Sequence, residues 1–257
     1  MNISDGPNLG RAFTRVQNQQ QTQQERIASG KRINAAKDDA AGLAISTGLT
    51  TQNKGMQMAI RNSYDGISRL QVEDGALSSV TEDLQRIREL KVQQQNGILS
   101  DTDRNALQGE IDQRFAAIET TFEQSQFNGK DVFEEGSLGI QTGPNSGQKM
   151  DINTKDLSAD LGLNALQDIT LDQLDDALTK VASRRSDIGA MENRLSQNVE
   201  SLALRSEHNQ AANSRIQDTD FAKAISEKSK SDIQSQVLIS VQGQANANKG
   251  MVLQLLK

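Results

Sequence analysis

Residues Leu171 to Arg215 read LDQLDDALTKVASRRSDIGAMENRLSQNVESLALRSEHNQAANSR, and their periodicity decides the fold. Leu174, Val181, Ile188, Leu195, Leu202 and, beyond Asn209, Ile216 fall on one seven-residue register. Leu171, Leu178 and Val199 fall on a second that interleaves with it, where Arg185 and Glu192 stand as polar breaks. Two interleaved registers make one apolar seam along an α-helix, the pattern of coiled-coil packing. At a rise of about 1.5 Å per residue, this stretch predicts a helix about 65 to 70 Å long.

The N-terminal half offers that seam a partner. Leu70, Leu77 and Leu84 repeat every seven residues, and Ile67, Val80 and Ile87 lie three residues from one or another of them. The pattern predicts one long helix over residues 43–96, ended by Asn96-Gly97, with Ser100 or Asp101 placed to cap the next by accepting backbone N–H bonds. In that next helix, over 101–126, Leu107, Ile111, Phe115, Ile118 and Phe122 line one face. Three apolar faces need one another, so the fold class is mainly α, a long rod-like helical bundle with coiled-coil packing. Between the halves the period changes. Asn128-Gly129 marks a turn, and Leu138 to Thr142 and Gln148 to Ile152 flank Gly143-Pro144-Asn145-Ser146-Gly147. That is the signature of a small β-hairpin, in the region 130–153, at one end of the bundle.

Composition agrees with thin helical packing. Of 257 residues only 35% are hydrophobic and 3% aromatic, Trp is absent and mean hydropathy is −0.62, so a thick layered core has too little apolar area to offset chain entropy. Two prolines and clear periodicity favour helix over disorder. A net charge of −6 gives no global attraction to nucleic acid or to an anionic membrane, and no 18-residue apolar run exists to span one. The first 24 residues carry no apolar core of a cleavable signal peptide. Cysteine is absent, which excludes a disulfide scaffold and thiolate chemistry.

Catalytic and metal-binding patterns are missing as well. The single histidine, His208, lies on the long C-terminal helix and cannot form a two-histidine zinc motif. Gly30-Lys31 and Gly129-Lys130 lack the flanking residues of a phosphate-cradling loop. The acid pairs Asp175-Asp176, Glu134-Glu135 and Asp218 with Asp220 read as helix starts and solvated surface. No catalytic residue, metal ligand or cofactor is assigned.

The two ends differ from the rest. Val16 to Glu25 is VQNQQQTQQE, almost without apolar anchors, while Ile233, Val237, Val241 and Ala245 form a narrow stripe at i, i+4 spacing ahead of the terminal VLQLLK. Such segments bury little area alone and are expected to fray unless neighbours cover them.

Seven ordered segments carry a resemblance. Arg26 to Ser46, RIASGKRINAAKDDAAGLAIS, is similar to the N-terminal signature of bacterial flagellins. The likeness continues through LQRIRELKVQ (84–93), FNGKDVF (127–133), IQTGPNSGQ (140–148), GAMENRL (189–195), NSRIQDTDFA (213–222) and VLQLLK. It implies a subunit that self-assembles into the flagellar filament for motility. In its fold, residues 1–42 and 216–257 pair as an inner domain, and residues 43–215 form the surrounding rod domain. The large variable domain usual after the hairpin is replaced by a short segment over 154–170, which makes this a minimal form.

The resemblance also assigns residues and partners. Ile27, Ile33, Ile233, Val237, Val241, Leu253, Leu255 and Leu256 would serve inner-domain assembly, and Asn34, Asp38 and Asp39 would form the connector between the domains. Asp38 or Asp39 would sit near the start of the following helix, favourable for its dipole. Arg86, Leu90 and Glu110 match positions used for axial packing or read by a vertebrate Toll-like innate receptor, with Lys91 in place of a usually small residue. The implied partners are other copies of the chain, an export chaperone at the C-terminal segment, and hook-associated and cap proteins, with neither nucleic acid nor membrane among them. The implied location is the extracellular filament, reached by export without a cleaved leader. The alternatives are a hook-filament junction protein of the same superfamily and a cytoplasmic coiled-coil signalling module.

Overall fold

The computed structural model describes residues 6–161 and 169–255. Its elements run α1 (Gly6–Ser29), α2 (Ala40–Gln94), α3 (Asp101–Gln124), β1 (Gln126–Phe127), β2 (Lys130–Asp131), β3 (Gly136–Gln141), β4 (Lys149–Thr154), α4 (Leu157–Asp160), α5 (Leu171–Gln217) and α6 (Phe221–Leu255). The chain divides into a terminal unit, residues 6–51 with 208–255, and a central unit, residues 52–207, the break falling within α2 and within α5.

α2, α3 and α5 begin where the sequence supplies a cap. Asp39 Oδ1 accepts from Gly42 N at 2.8 Å, so α2 starts at Ala40, three residues before apolar periodicity alone would place it. Ser100 and Asp103 form a reciprocal capping box at α3, as Thr170 and Gln173 do at α5. α2 ends at Gln94, just ahead of Asn96-Gly97.

In the central unit the predicted seam is buried. Leu174, Val181, Ile188 and Leu195 of α5 share one core with Leu70, Leu77, Leu84 and Ile87 of α2 and with Ile111, Phe115, Ile118 and Phe122 of α3. α2 and α5 are antiparallel, because Arg88 meets Asp175, Asp74 meets Arg185, Glu73 meets Arg184 and Asn53 meets Ser206. Val132 and Phe133 join this core, Phe133 edge-on to Phe122 with ring centroids 4.8 Å apart.

Two antiparallel hairpins complete the unit. β1 and β2 are joined by Asn128 (φ 52°) and Gly129 (φ 73°), the pair of positive φ angles that a two-residue type I′ turn requires. β3 pairs with β4 from Gly136 opposite Thr154 to Gln141 opposite Lys149. Asn62 Nδ2 donates to Gln141 O at 3.1 Å and Asn198 Nδ2 to Thr142 O at 2.9 Å, tying the second hairpin to α2 and α5. A Cβ at Gly55 would sit 2.9 Å from Pro144 Cβ and 3.2 Å from its Cα, so only glycine admits the hairpin loop this close to α2.

In the terminal unit α1 lies antiparallel to α6, Gln23 facing Glu227 and Gln20 facing Asp232. Both segments form helices on one another in the single chain, where the sequence suggested fraying without neighbours. Their own seam supplies the cover.

Candidate assembly interface

Residues 30–39 form an ordered turn ahead of α2. Arg32 N donates to Gln217 O at 2.6 Å, Thr219 N to Gly30 O at 3.0 Å, and the Arg32 guanidinium to Ile216 O at 2.6 Å, stitching residues 30–32 to 216–219. Asp38 caps the turn before α2, its Oδ2 accepting from Asn34 N at 3.1 Å and Ala35 N at 3.0 Å. Those two N–H groups hold its carboxyl below the ordinary value. Of the two adjacent acids, Asp39 alone caps the helix.

Ile33 is buried within the terminal unit, its side chain packed into the space that Gly42 leaves open. Ile27 is half-buried on α1.

The apolar stripe of α6 has the opposite fate. Ile233, Val237 and Val241 are 60%, 54% and 47% exposed, and Ile225, Ile239 and Met251 on the same helix are exposed too. α6 turns other residues toward α1. Ala224 and Ser231 are buried there, with Lys228, Ser235, Leu238 and Ala245 half-covered. α1 answers with Val16, buried, and Gln20 and Gln23, whose amides donate to Asp232 Oδ1 at 2.9 Å and Glu227 Oε2 at 2.8 Å. The seam between the helices is therefore small and polar. Beside it runs a groove of about 490 Å³ lined by Ala12, Val16, Gln19, Ile233, Val237 and Leu238. Ala224, Ser231, Leu238 and Ala245 recur every seven residues, a register visible in the sequence once small residues are counted as seam formers. The side chains of Leu253 and Leu255, and all of Leu256, lie outside the described residues.

On α2 and α3 the three matched positions separate. Arg86 Nε donates to Glu110 Oε1 at 3.0 Å and its Nη1 to Glu89 Oε2 at 3.2 Å, an exposed cluster that raises the arginine's pKa through those hydrogen bonds. Leu90 is 1% exposed and belongs to the core between α2, α3 and α5, so a surface contact through its side chain is corrected to a packing role. An i, i+3 step from Ile87 turns it inward. Lys91 reaches Gln108 Oε1 at 3.4 Å, and Gln94 reaches the same atom at 3.1 Å.

One polar group is buried where no sequence pattern announces it. Glu73 is enclosed between Arg69 and Arg184, with its side chain 1% exposed and the arginines each 8%. Arg184 Nε donates to Glu73 Oε1 at 2.6 Å and Arg69 Nη1 stands 3.5 Å from Oε2. The guanidiniums also grip both hairpin regions, Arg69 at Val132 O (3.0 Å) and Arg184 at Asn153 O (2.9 Å). Burial pushes the Glu73 carboxyl up, against the pull of Arg184 and Arg69.

Long helices joined by an apolar seam in the central unit and by a small, polar one in the terminal unit, with an apolar stripe of α6 turned outward, are the build of an assembling structural subunit. Comparison with known proteins names its family. The bacterial flagellin N-terminal helical region matches residues 7–137, and the bacterial flagellin C-terminal helical region matches residues 171–256. A flagellin of Halalkalibacterium halodurans is 41% identical over 93% of both chains, and a flagellin of Bacillus subtilis is 36% identical over 92% of both. The crystal structure of Bacillus cereus flagellin aligns with a TM-score of 0.50 at 29% identity, covering 55% of this chain and 88% of that one.

The chain belongs to the bacterial flagellin family and is a structural subunit of the flagellar filament. It is a minimal form, since only residues 155–170 separate β4 from α5. No helix among the described residues is long and apolar enough to cross a membrane.

Proposed function

We propose that polymerisation buries the outward stripe of α6 against neighbouring copies of the chain, in the groove that α1 and α6 form. The exposure of Ile233, Val237 and Val241 carries this reading. Burying a side chain of this size contributes roughly 1.5–3 kcal/mol when complete, so several per subunit favour association. Ile27 supports the same surface from α1, and the terminal leucines Leu253, Leu255 and Leu256 extend it along the sequence. Asn34, Asp38 and Asp39 serve as the connector between inner and outer parts of the subunit. Seeded polymerisation of the full chain, followed by electron microscopy, tests the proposal. Val237→Ser should leave the monomer's thermal midpoint unchanged and sharply reduce filament yield; equal yield would overturn the role of the stripe.

The finer partners follow from family likeness. Subunits reach the growing tip by export without a cleaved leader, escorted by a chaperone on the C-terminal segment, and meet hook-associated and cap proteins there. Pull-down with and without the segment after Phe221 checks the chaperone. Arg86 and Glu110 serve axial packing between subunits first, because their ion pair is exposed. Recognition by a vertebrate Toll-like innate receptor is the second use of that surface. A receptor reporter silent toward the monomer, alongside a responsive flagellin control, removes it.

A further inference from the structure

The chain contains two Asn-Gly dipeptides, Asn96-Gly97 and Asn128-Gly129, both exposed, and the fold treats them differently. Asparagine before glycine is prone to one spontaneous reaction. The glycine backbone nitrogen attacks the asparagine Cγ, a C–N bond forms, the bond to the side-chain nitrogen breaks, and ammonia leaves. The resulting cyclic imide is opened by water, at one carbonyl to aspartate and at the other to isoaspartate, with no change of oxidation state. The step needs a backbone nitrogen free to approach and a side-chain oxygen able to hold developing negative charge.

Asn128-Gly129 is held against this. Its φ angles of 52° and 73° fill the two central positions of a hairpin turn closed by Phe127 opposite Lys130. Ring closure has to break that turn. Asn96-Gly97 stands between α2 and α3 outside any strand pairing, at φ angles that are not positive, in a turn closed by the long bond from Leu99 N to Asn96 O at 3.3 Å; space does not separate the two sites, since a Cβ at either glycine would meet nothing within 4 Å. There Ile98 N donates to Asn96 Oδ1 at 3.2 Å, the polarisation that a developing oxyanion needs.

A second feature awaits the product. Arg104 of α3 reaches Asn96 only through a long 3.5 Å contact from Nη2 to the backbone oxygen, and its buried Nε has no hydrogen-bond partner. Among the described residues it has no carboxylate partner. The neighbouring acid Asp103 is committed to Ser100, and Lys91 across the turn is committed to Gln108. An arginine with an unsatisfied nitrogen beside a convertible amide is a counter-ion already in place.

The geometry points to Asn96 as a site of spontaneous deamidation whose new carboxylate is taken up by Arg104, converting the turn between α2 and α3 from neutral to charge-clamped. The test ages the purified full chain in mildly alkaline buffer and maps peptides by fragmentation and isoaspartate detection. Asn96 should convert while Asn128 stays intact, and Gly97→Ala should slow conversion by an order of magnitude. Conversion of Asn128 at the same rate, or of neither residue, overturns the assignment. The uptake is read separately. Asn96→Asp should raise the thermal midpoint in the wild-type background and not in Arg104→Gln; the same shift in both backgrounds, or none in either, overturns the role of Arg104.

Discussion

The two units solve the same problem, joining long antiparallel helices, with opposite materials. The central unit places leucine, isoleucine and phenylalanine between α2, α3 and α5 and leaves charges outside, Glu73 and its arginines excepted. The terminal unit places Ala224, Ser231, Gln20 and Gln23 between α1 and α6 and leaves Ile233, Val237, Ile239 and Val241 outside. The central unit buries its main apolar seam within the single molecule, although Met58, Tyr64, Val92, Ile98 and Leu204 stay exposed on it. The terminal pair withholds its apolar area, and the hydrophobic effect then favours further association rather than stability of the monomer. The difference separates what folds the subunit from what assembles it.

Truncating the buried carboxylate should have the largest effect. Glu73→Ala leaves Arg69 and Arg184 buried without a counter-charge, a loss of roughly 3–5 kcal/mol. Asp74→Ala, one residue on, removes a half-exposed pair with Arg185 and should cost about 1 kcal/mol or less. Denaturant unfolding of the two variants checks the contrast. Similar losses at both positions would mean that the triad is wetter than its enclosure implies. Because the arginines hold Val132 O and Asn153 O, Glu73→Ala should also speed amide exchange in β1–β2 and β4 ahead of the helices.

The same contrast explains what the sequence disclosed. The central unit was legible because its seam is written in large apolar residues at seven-residue spacing, from Leu174 to Leu202 and from Leu70 to Leu84. The longer hairpin followed from the Gly143 to Gly147 loop, while Asn128-Gly129 disclosed a turn and not the two short strands it joins. The seam of the terminal unit was not legible, since Ala224 and Ser231 carry no hydrophobic signal and Gln20 reads as featureless amide. The conspicuous stripe at Ile233, Val237 and Val241 pointed instead to the outside of the pair. Leu90 was placed by likeness to a family, which fixes position along the chain and not the direction of a side chain. Glu73 was illegible because its partner Arg184 lies 111 residues away.

The amide seam gives the next prediction. A side-chain hydrogen bond of this kind contributes about 1 kcal/mol net, so Gln20→Ala and Gln23→Ala should each loosen α1 from α6 by about that amount. Hydrogen exchange along α1 should rise while the core of the central unit keeps its protection. Uniform loosening across both units would show that the terminal pair does not open independently.

Charge offers a weaker lever. Acids outnumber bases across residues 52–207, whereas bases outnumber acids in the terminal segments, so like-charged central units repel as copies approach. Seeded filament growth should accelerate moderately as monovalent salt rises, the screening length being about 10 Å near 0.1 M. Growth that slows with salt would place opposite charges across the interface instead.

The smallest expected effect is one the two units share, because each has a carboxylate at a turn leading into a helix. Asp38 accepts from Asn34 N and Ala35 N, and Asp103 is held by the Ser100 hydroxyl and backbone N–H; both carboxyls lie below their ordinary value of 3.8. A depressed folded pKa means that the ionised form is favoured by folding. Its contribution is therefore present above the ordinary value and lost as pH falls through the folded one. Amide protection at Asn34 and Ala35 should be higher in the wild type than in Asp38→Asn at neutral pH, and the gap should close in acid below the ordinary carboxylate range. Asp103→Asn should behave in the same way at the start of α3. If the gap at Asp38 persists in acid while that at Asp103 closes, the turn ahead of α2 is held by Arg32 and its bonds to Ile216 and Gln217, and the carboxylate only decorates it.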